Sequence, residues 1–214
     1  MSRVHIKNKE VVFNERAILQ KVRFTIDNGK ASLEQEIIIM RKVVVIGPES
    51  TGKSTLCQQL ADHYSTIWCP EYAREYLLKN GMNYTGEDLA AIAVGHVGLQ
   101  KELEAGARNN IYFIDTDMYV MKVWYEVAFG KCPSWILKAI AQTEYDLYLL
   151  CNTDLPWEKD ELREYPDLAF RQKLFKMYRD IMINSGVPWV EISGTNEQRL
   201  RIAIRGVDTI YKSK

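Results

Sequence analysis

Little in this chain suits the more specialised protein classes. Its four cysteines, Cys57, Cys69, Cys132 and Cys151, never fall in C-x-x-C spacing, which excludes the usual zinc and redox motifs. Charge of either sign is not in excess: 28 basic residues meet 28 acidic ones, with no block of like charge. That balance provides no electrostatic footprint for duplex nucleic acid or an anionic membrane, so neither is expected as a partner. No apolar stretch approaches the ~20 residues of a membrane span, and the opening segment is polar, without the apolar core of a signal peptide. A reduced, cytoplasmic protein is the expectation. With 47% hydrophobic and 26% charged residues over 214 positions, the composition suits one compact domain whose core needs neither metal nor disulfide.

What is present is a phosphate-binding motif in its proper setting. Gly47, Pro48, Glu49, Ser50, Thr51, Gly52, Lys53, Ser54 and Thr55 follow the apolar run Val43-Val44-Val45-Ile46 and precede an amphipathic helical pattern. This is the strand, loop and helix order of a P-loop, and it predicts a nucleoside-triphosphate site. Glycines let successive backbone N–H groups turn inward around phosphate oxygens, and the helix N-terminus adds a positive dipole end. Lys53 supplies a mobile charge for the β- and γ-phosphates, and Ser54 a hydroxyl for Mg²⁺. ATP and Mg²⁺ are therefore the expected cofactors.

Apolar runs and helical periodicities alternate through the remainder. Strands are expected at 66–69, 111–114, 146–150 and 187–192, and helices at about 87–105, 118–129 and 167–185, with another from Pro133. Thr85 with Asp88 and Thr195 with Gln198 are helix-start pairs; Gly130 and Gly186 are stops. The pattern predicts a three-layer α/β/α sandwich around a mostly parallel five-stranded sheet, with a kinase-like lid and the ligand at the carboxyl ends of the strands. Residues 40–214 form this domain. Residues 1–39 do not share the pattern: Val22 to Lys30 suits half of a hairpin, an appendage with too few apolar residues for its own core. Met40 stands just before the first core strand, and one reading has translation starting there, with residues 1–39 a mis-called extension.

Candidate site residues cluster at the predicted strand ends. The apolar strand Ile111 to Ile114 ends in Asp115, the form of a Walker B element and a ligand for Mg²⁺; Asp117, two residues on, is either a helix cap or a substrate ligand. Glu71, after the second strand, would face the acceptor and deprotonate an attacking hydroxyl, or else pair on a surface helix with Arg74 or Lys79. Arg74 binds the acceptor or pairs locally. The polar, proline-punctuated segment from 152 to 166 suits a lid, with Arg163 and Arg171 as guanidinium donors to the transferring group and Asp154 and Trp157 as substrate contacts; a solvated charged loop is the alternative.

The strings GPESTGKST, EYAREY, FIDTD and DLPWEKDELR, in this order and spacing, resemble the ribosylnicotinamide kinase domain of NadR-type NAD-salvage proteins from about residue 41 to the C-terminus. The resemblance implies ATP-dependent phosphorylation of the 5′-hydroxyl of nicotinamide riboside, giving nicotinamide mononucleotide. It implies Gly47 to Thr55 as the ATP loop, Asp115 as the Mg²⁺ carboxylate, Glu71 as base or acceptor ligand, and Arg163 and Arg171 as lid arginines. For a pyridinium acceptor, Tyr119, Trp124, Tyr125 and Glu126 supply suitable aromatic and acidic groups. The bifunctional relatives also carry an H-x-G-H nucleotidyltransferase motif, whereas the histidines here are His5, His63 and His96, so adenylyltransferase activity is not expected. A kinase for another nucleoside, and an ATPase switch acting on a partner, are the competing readings.

Overall fold

The structure, a computed structural model, describes residues 18–27 and 30–211, with side chains from residue 39 onward. The chain divides after Met40 into two units. The first is a hairpin in which β1 (Ile18–Asp27) pairs antiparallel with β2 (Lys30–Ile39), from Ile18 opposite Ile39 to Asp27 opposite Lys30. The expected half-hairpin at 22–30 falls partly on residues 28–29, which lie outside the described residues, as do 1–17 and 212–214.

In the second unit, apolar runs without alternation become strands, fully buried at 111–115 and 147–151 and partly exposed at 189–192. These are β3 (Arg41–Ile46), β4 (Trp68–Cys69), β5 (Ile111–Asp115), β6 (Leu147–Cys151) and β7 (Trp189–Ile192). They form one parallel sheet in the order β4-β5-β3-β6-β7. The helices between them are α1 (Lys53–His63), α2 (Tyr72–Asn80), α3 (Gly86–Glu104), α4 (Met118–Phe129), α5 (Ser134–Gln142), α6 (Leu168–Ser185) and α7 (Asn196–Tyr211). Val43, Val45, Phe113, Leu147 and Leu149 face Leu56 and Leu60 of α1 and Ala203 and Val207 of α7. Alternate residues point the other way: Tyr112 Oη donates to the Gln100 carbonyl of α3 at 3.1 Å, and Tyr148 Oη to Asp117, the cap of α4, at 2.6 Å. Beyond them, Leu77, Leu89, Ile92, Met121, Tyr125 and Ile136 join α2 to α5 in a second core. The predicted α/β/α class is therefore observed, with every pairing in the five-stranded sheet parallel.

Local signals set most boundaries. Thr85 and Asp88 bond reciprocally at the start of α3, as Thr195 and Gln198 do at α7. Gly130 and Gly186, at φ 71° and 72°, close α4 and α6. Two strands are shorter than expected. Thr66 leaves the sheet because its hydroxyl donates to the Ile111 carbonyl and accepts from Arg108 N–H, both at 2.8 Å. Pro188 offers no N–H for pairing, so β7 begins at Trp189. Because all five strands are parallel, the segments after Ile46, Cys69, Asp115, Cys151 and Ile192 leave by the same edge, and the candidate site is assembled there.

Candidate active site

The phosphate loop is shaped by backbone that only small residues tolerate. At Gly47, φ is 143° and a Cβ would stand 2.6 Å from the Cys151 carbonyl of neighbouring β6. Ser50 and Gly52 are left-handed, at φ 57° and 75°, turning successive N–H groups toward one concavity before α1 begins. Thr51 is buried and donates its hydroxyl to the Pro48 carbonyl at 2.7 Å, while Lys53 Nζ donates to the same carbonyl at 3.1 Å. Local chain geometry thus preforms an anion cradle.

Two strand-end carboxylates stand near it. Asp115 is fully buried at the end of β5; its Oδ2 accepts from Ser54 Oγ at 2.5 Å, and its Oδ1 has no partner among the described residues. Burial first, then the charge of Glu71, pushes the Asp115 carboxyl up to about 7, with Lys53 and Ser54 pulling it down. Glu71 occupies the N-cap position of α2 but makes no capping bond with its side chain, and it lines the same cavity as the loop. Ser54 and Asp115 suit Mg²⁺, a hard cation that takes few protein oxygens and keeps phosphate and water as its other ligands. The unpartnered Oδ1 of Asp115 is the observation that fits.

The Asp115 environment has a measurable consequence. In nucleotide-free, metal-free protein, the unfolded carboxyl ionises near its ordinary 3.8 whereas the folded one resists ionisation up to about 7. Folding stability contributed by this group is therefore fully present at acid pH and falls as pH rises through that window. Thermal melts from pH 5 to 8 should show the parent losing several degrees relative to Asp115→Asn. Parallel curves for the two proteins would contradict the burial effect.

The segment between β6 and α6 folds across the loop. Glu49 accepts from Trp157 Nε1 at 3.1 Å and from the backbone N–H of Glu164 and Tyr165 at 3.0 and 2.7 Å. Ser50 Oγ accepts from Glu158 N–H at 3.1 Å. Arg74 pairs through both terminal nitrogens with Asp160, at 3.3 and 3.0 Å, joining α2 to this strap. Beneath it lies a cavity of about 510 Å³, bounded by the whole loop from Gly47 to Thr55 and by Glu71, Arg74, Trp124, Asp160 and Arg163. Arg163 Nη1 donates to the Glu158 carbonyl at 2.5 Å.

Several expected contacts are placed elsewhere. Asp117 is buried and spent as a cap: it accepts from Tyr119 N–H at 2.9 Å and from Tyr148 Oη, which turns it toward the sheet and away from the cavity. Burial raises its carboxyl to about 6, its hydrogen bonds opposing. Tyr119 packs edge-on against Tyr148, Tyr125 Oη donates to the Gly86 carbonyl, and Glu126 pairs with Lys122. Helical spacing explains the selection, since Val120, Val123, Trp124 and Val127 share the face of α4 that lines the cavity. Trp124 is held by Tyr84 edge-on at 5.1 Å. Trp157 is spent on Glu49, and Asp154 belongs to a structural anchor: it pairs with Arg199 and accepts from Gly194 N–H at 2.5 Å.

Arg199 is the residue the motif reading missed. It donates to the carbonyls of Gly194, Thr51 and Asn152 at 3.0, 2.9 and 2.8 Å, fastening α7 beneath the phosphate loop. Arg171 is its counterpart in α6, also the fourth residue of its helix and also buried, yet its Nε and Nη1 have no partner among the described residues. A cation near a helix N-terminus opposes the macrodipole, and that was the available signal for both. Arg171 is not itself on the cavity surface, but Leu174 and Tyr178, three and seven residues on, are. Its free N–H groups suit an anion.

A glycine loop between a buried strand and a helix, with Lys53, Ser54 and a buried strand-end carboxylate, defines a P-loop nucleotide-binding domain of nucleoside- and nucleotide-kinase architecture. The chain belongs to the AAA domain family, matched over residues 42–199. It is 26% identical over 163 residues to the trifunctional NAD biosynthesis/regulator protein NadR of Salmonella typhimurium, covering 74% of this chain and 40% of that protein. The Escherichia coli NadR is likewise 26% identical, over 165 residues, with the same coverage. Among solved structures, a NadR protein in complex with NR superposes at a TM-score of 0.68 with 24% identity, covering 81% of this chain and 50% of that one. The thymidylate kinase of Candida albicans shares the fold at a TM-score of 0.55 and 15% identity, covering 80% and 92%. The chain thus spans about 40% of the length of the curated relatives it matches.

Proposed function

We propose that this chain is an ATP-dependent kinase that phosphorylates the 5′-hydroxyl of nicotinamide riboside, giving nicotinamide mononucleotide in NAD salvage, with residues 40–214 as its cytoplasmic catalytic domain. The observation that carries this reading is the extent of the cavity, about 510 Å³, whose lining runs from the phosphate loop to Glu71, Trp124 and the apolar face of α4. An ATPase switch needs room for a triphosphate and a water. A kinase needs further room for its acceptor. Trp124 offers a π-face to a flat pyridinium, and Glu71 adds negative charge on the same surface. The likeness to NadR, named for NAD biosynthesis, supports the same acceptor.

The acceptor hydroxyl oxygen bonds to the γ-phosphorus as the bond to the ADP oxygen breaks, and the hydroxyl proton passes to Glu71. Backbone N–H groups of the loop and Lys53 hold the phosphates in line, with Arg163, on the cavity wall, meeting charge on the transferring group. Mg²⁺, held by Ser54 and Asp115, would neutralise β- and γ-phosphate oxygens. The strap anchored on Glu49 excludes water, so transfer to the acceptor outcompetes hydrolysis.

ATP consumption measured with nicotinamide riboside, purine nucleosides, pyrimidine nucleosides and no acceptor tests the proposal. Turnover with nicotinamide riboside well above the others is expected. Preference for another nucleoside would overturn the acceptor, and rapid turnover without any acceptor would overturn the kinase.

A further inference from the structure

The two carboxylates proposed to act on opposite sides of the transferring group come from different strand ends, and no described hydrogen bond joins them. We propose that Gly95 and His96, adjacent residues in the middle of α3, position both at once. His96 fixes the backbone that follows Asp115, and Gly95 seats the ring that follows Glu71. The inference rests on the kinase reading of these carboxylates.

His96 is buried, and its Nε2 lies 3.0 Å from the Thr116 carbonyl. A carbonyl only accepts, so Nε2 carries the proton; Nδ1 has no partner among the described residues. Burial holds the imidazole below its usual range, with the Thr116 carbonyl and the charge of Glu71 opposing. Thr116 is left-handed at φ 71°, a conformation that a β-branched residue adopts only under constraint. The constraint is visible on both sides: Thr116 N–H donates to the Val45 carbonyl of β3 at 3.0 Å, and its carbonyl meets His96. This peptide lets the chain leave β5 with Asp115 bonded to Ser54 and Asp117 turned away to cap α4. Removing the imidazole donor would strand a buried carbonyl and free the strained peptide to relax, carrying Asp115 with it.

Gly95 acts on the other carboxylate. A Cβ there would stand 2.2 Å from Tyr72 Cε1, so the ring lies flush against the α3 backbone; Gly98, one turn on, has nothing within 4 Å among the described residues. Tyr72 opens α2 directly after Glu71. Since Glu71 makes no capping bond of its own, its place follows from where Tyr72 is seated. A mid-helix glycine costs about 1 kcal/mol relative to alanine, and the close approach of the ring explains it at this position.

The test uses the full chain and reads metal binding apart from turnover. Binding of Mn²⁺ in the presence of a non-hydrolysable ATP analogue is followed by loss of the free-ion paramagnetic resonance signal. His96→Phe should weaken it by about 10-fold to 100-fold, the range for a group that orients a metal ligand. His96→Gln, which keeps a donor at the Nε2 position, should recover most of the loss. If the Phe variant fails to fold, His96→Asn, whose amide falls short of Thr116, should show the same weakening. Gly95→Ala should leave Mn²⁺ binding intact while raising acceptor KM and lowering kcat. Parental Mn²⁺ binding in a folded Phe or Asn variant, or a Gln variant as weak as Phe, overturns the role of His96. Parental acceptor kinetics in Gly95→Ala overturn that of Gly95. A parent that turns over another nucleoside would refute the acceptor assignment yet leave both readouts usable.

Discussion

Lys53→Ala is expected to fold like the parent and lose nearly all phosphoryl transfer. The side chain is only half-buried and its one hydrogen bond among the described residues is to the Pro48 carbonyl, so truncation costs on the order of 1 kcal/mol of stability. Its effect on the reaction is far larger. During transfer, negative charge collects on the phosphoryl oxygens, and a positioned cation there is worth about 10²- to 10³-fold in rate. Turnover and thermal unfolding measured on the same preparation separate the two effects. A variant as active as the parent would refute the role assigned to Lys53, and one that melts many degrees lower would make the Pro48 contact a structural tie of the loop.

That prediction was available from sequence because the phosphate loop is a local structure. Its glycines, lysine and serine lie within one short segment, and the residues that shape it are the ones proposed to bind. The same locality made the sheet legible: buried parallel strands are continuous apolar runs, and Thr85 with Asp88 or Gly130 marks a helix end without help from the rest of the chain. What was illegible depends on contacts across long sequence separations. Trp157 looks like a substrate contact until Glu49, 108 residues earlier, claims its indole N–H. Asp154 looks exposed and available until Arg199 pairs with it. In α4, aromatic composition suggested Tyr119 and Trp124 alike, and only the face buried against the sheet reveals that Trp124 looks into the cavity. His96 leaves no pattern in the sequence at all, since its partner is a backbone carbonyl 20 residues away.

Glu71→Gln is expected to produce the largest separation between binding and chemistry. The substitution keeps the size of the side chain and its capacity to hydrogen-bond, and since the native carboxylate makes no capping bond, α2 loses nothing by it. It removes the proton acceptor and the negative charge. A positioned base contributes roughly 10²- to 10⁴-fold, so kcat for nicotinamide riboside should fall by that factor. ATP affinity should hardly change, because the proposed holders of the triphosphate are the loop and Lys53, not Glu71. A second consequence follows from the charge that Glu71 places on Asp115: without it, the Asp115 carboxyl should titrate lower, and the fall in apoprotein stability with rising pH should end at a lower pH. Steady-state kinetics, nucleotide titration calorimetry and melts across pH 5 to 8 read these three effects independently. Normal phosphorylation by the variant would reduce Glu71 to the residue at which a surface helix begins. The base would then have to be Asp115, since Asp117 is already spent between Tyr119 and Tyr148.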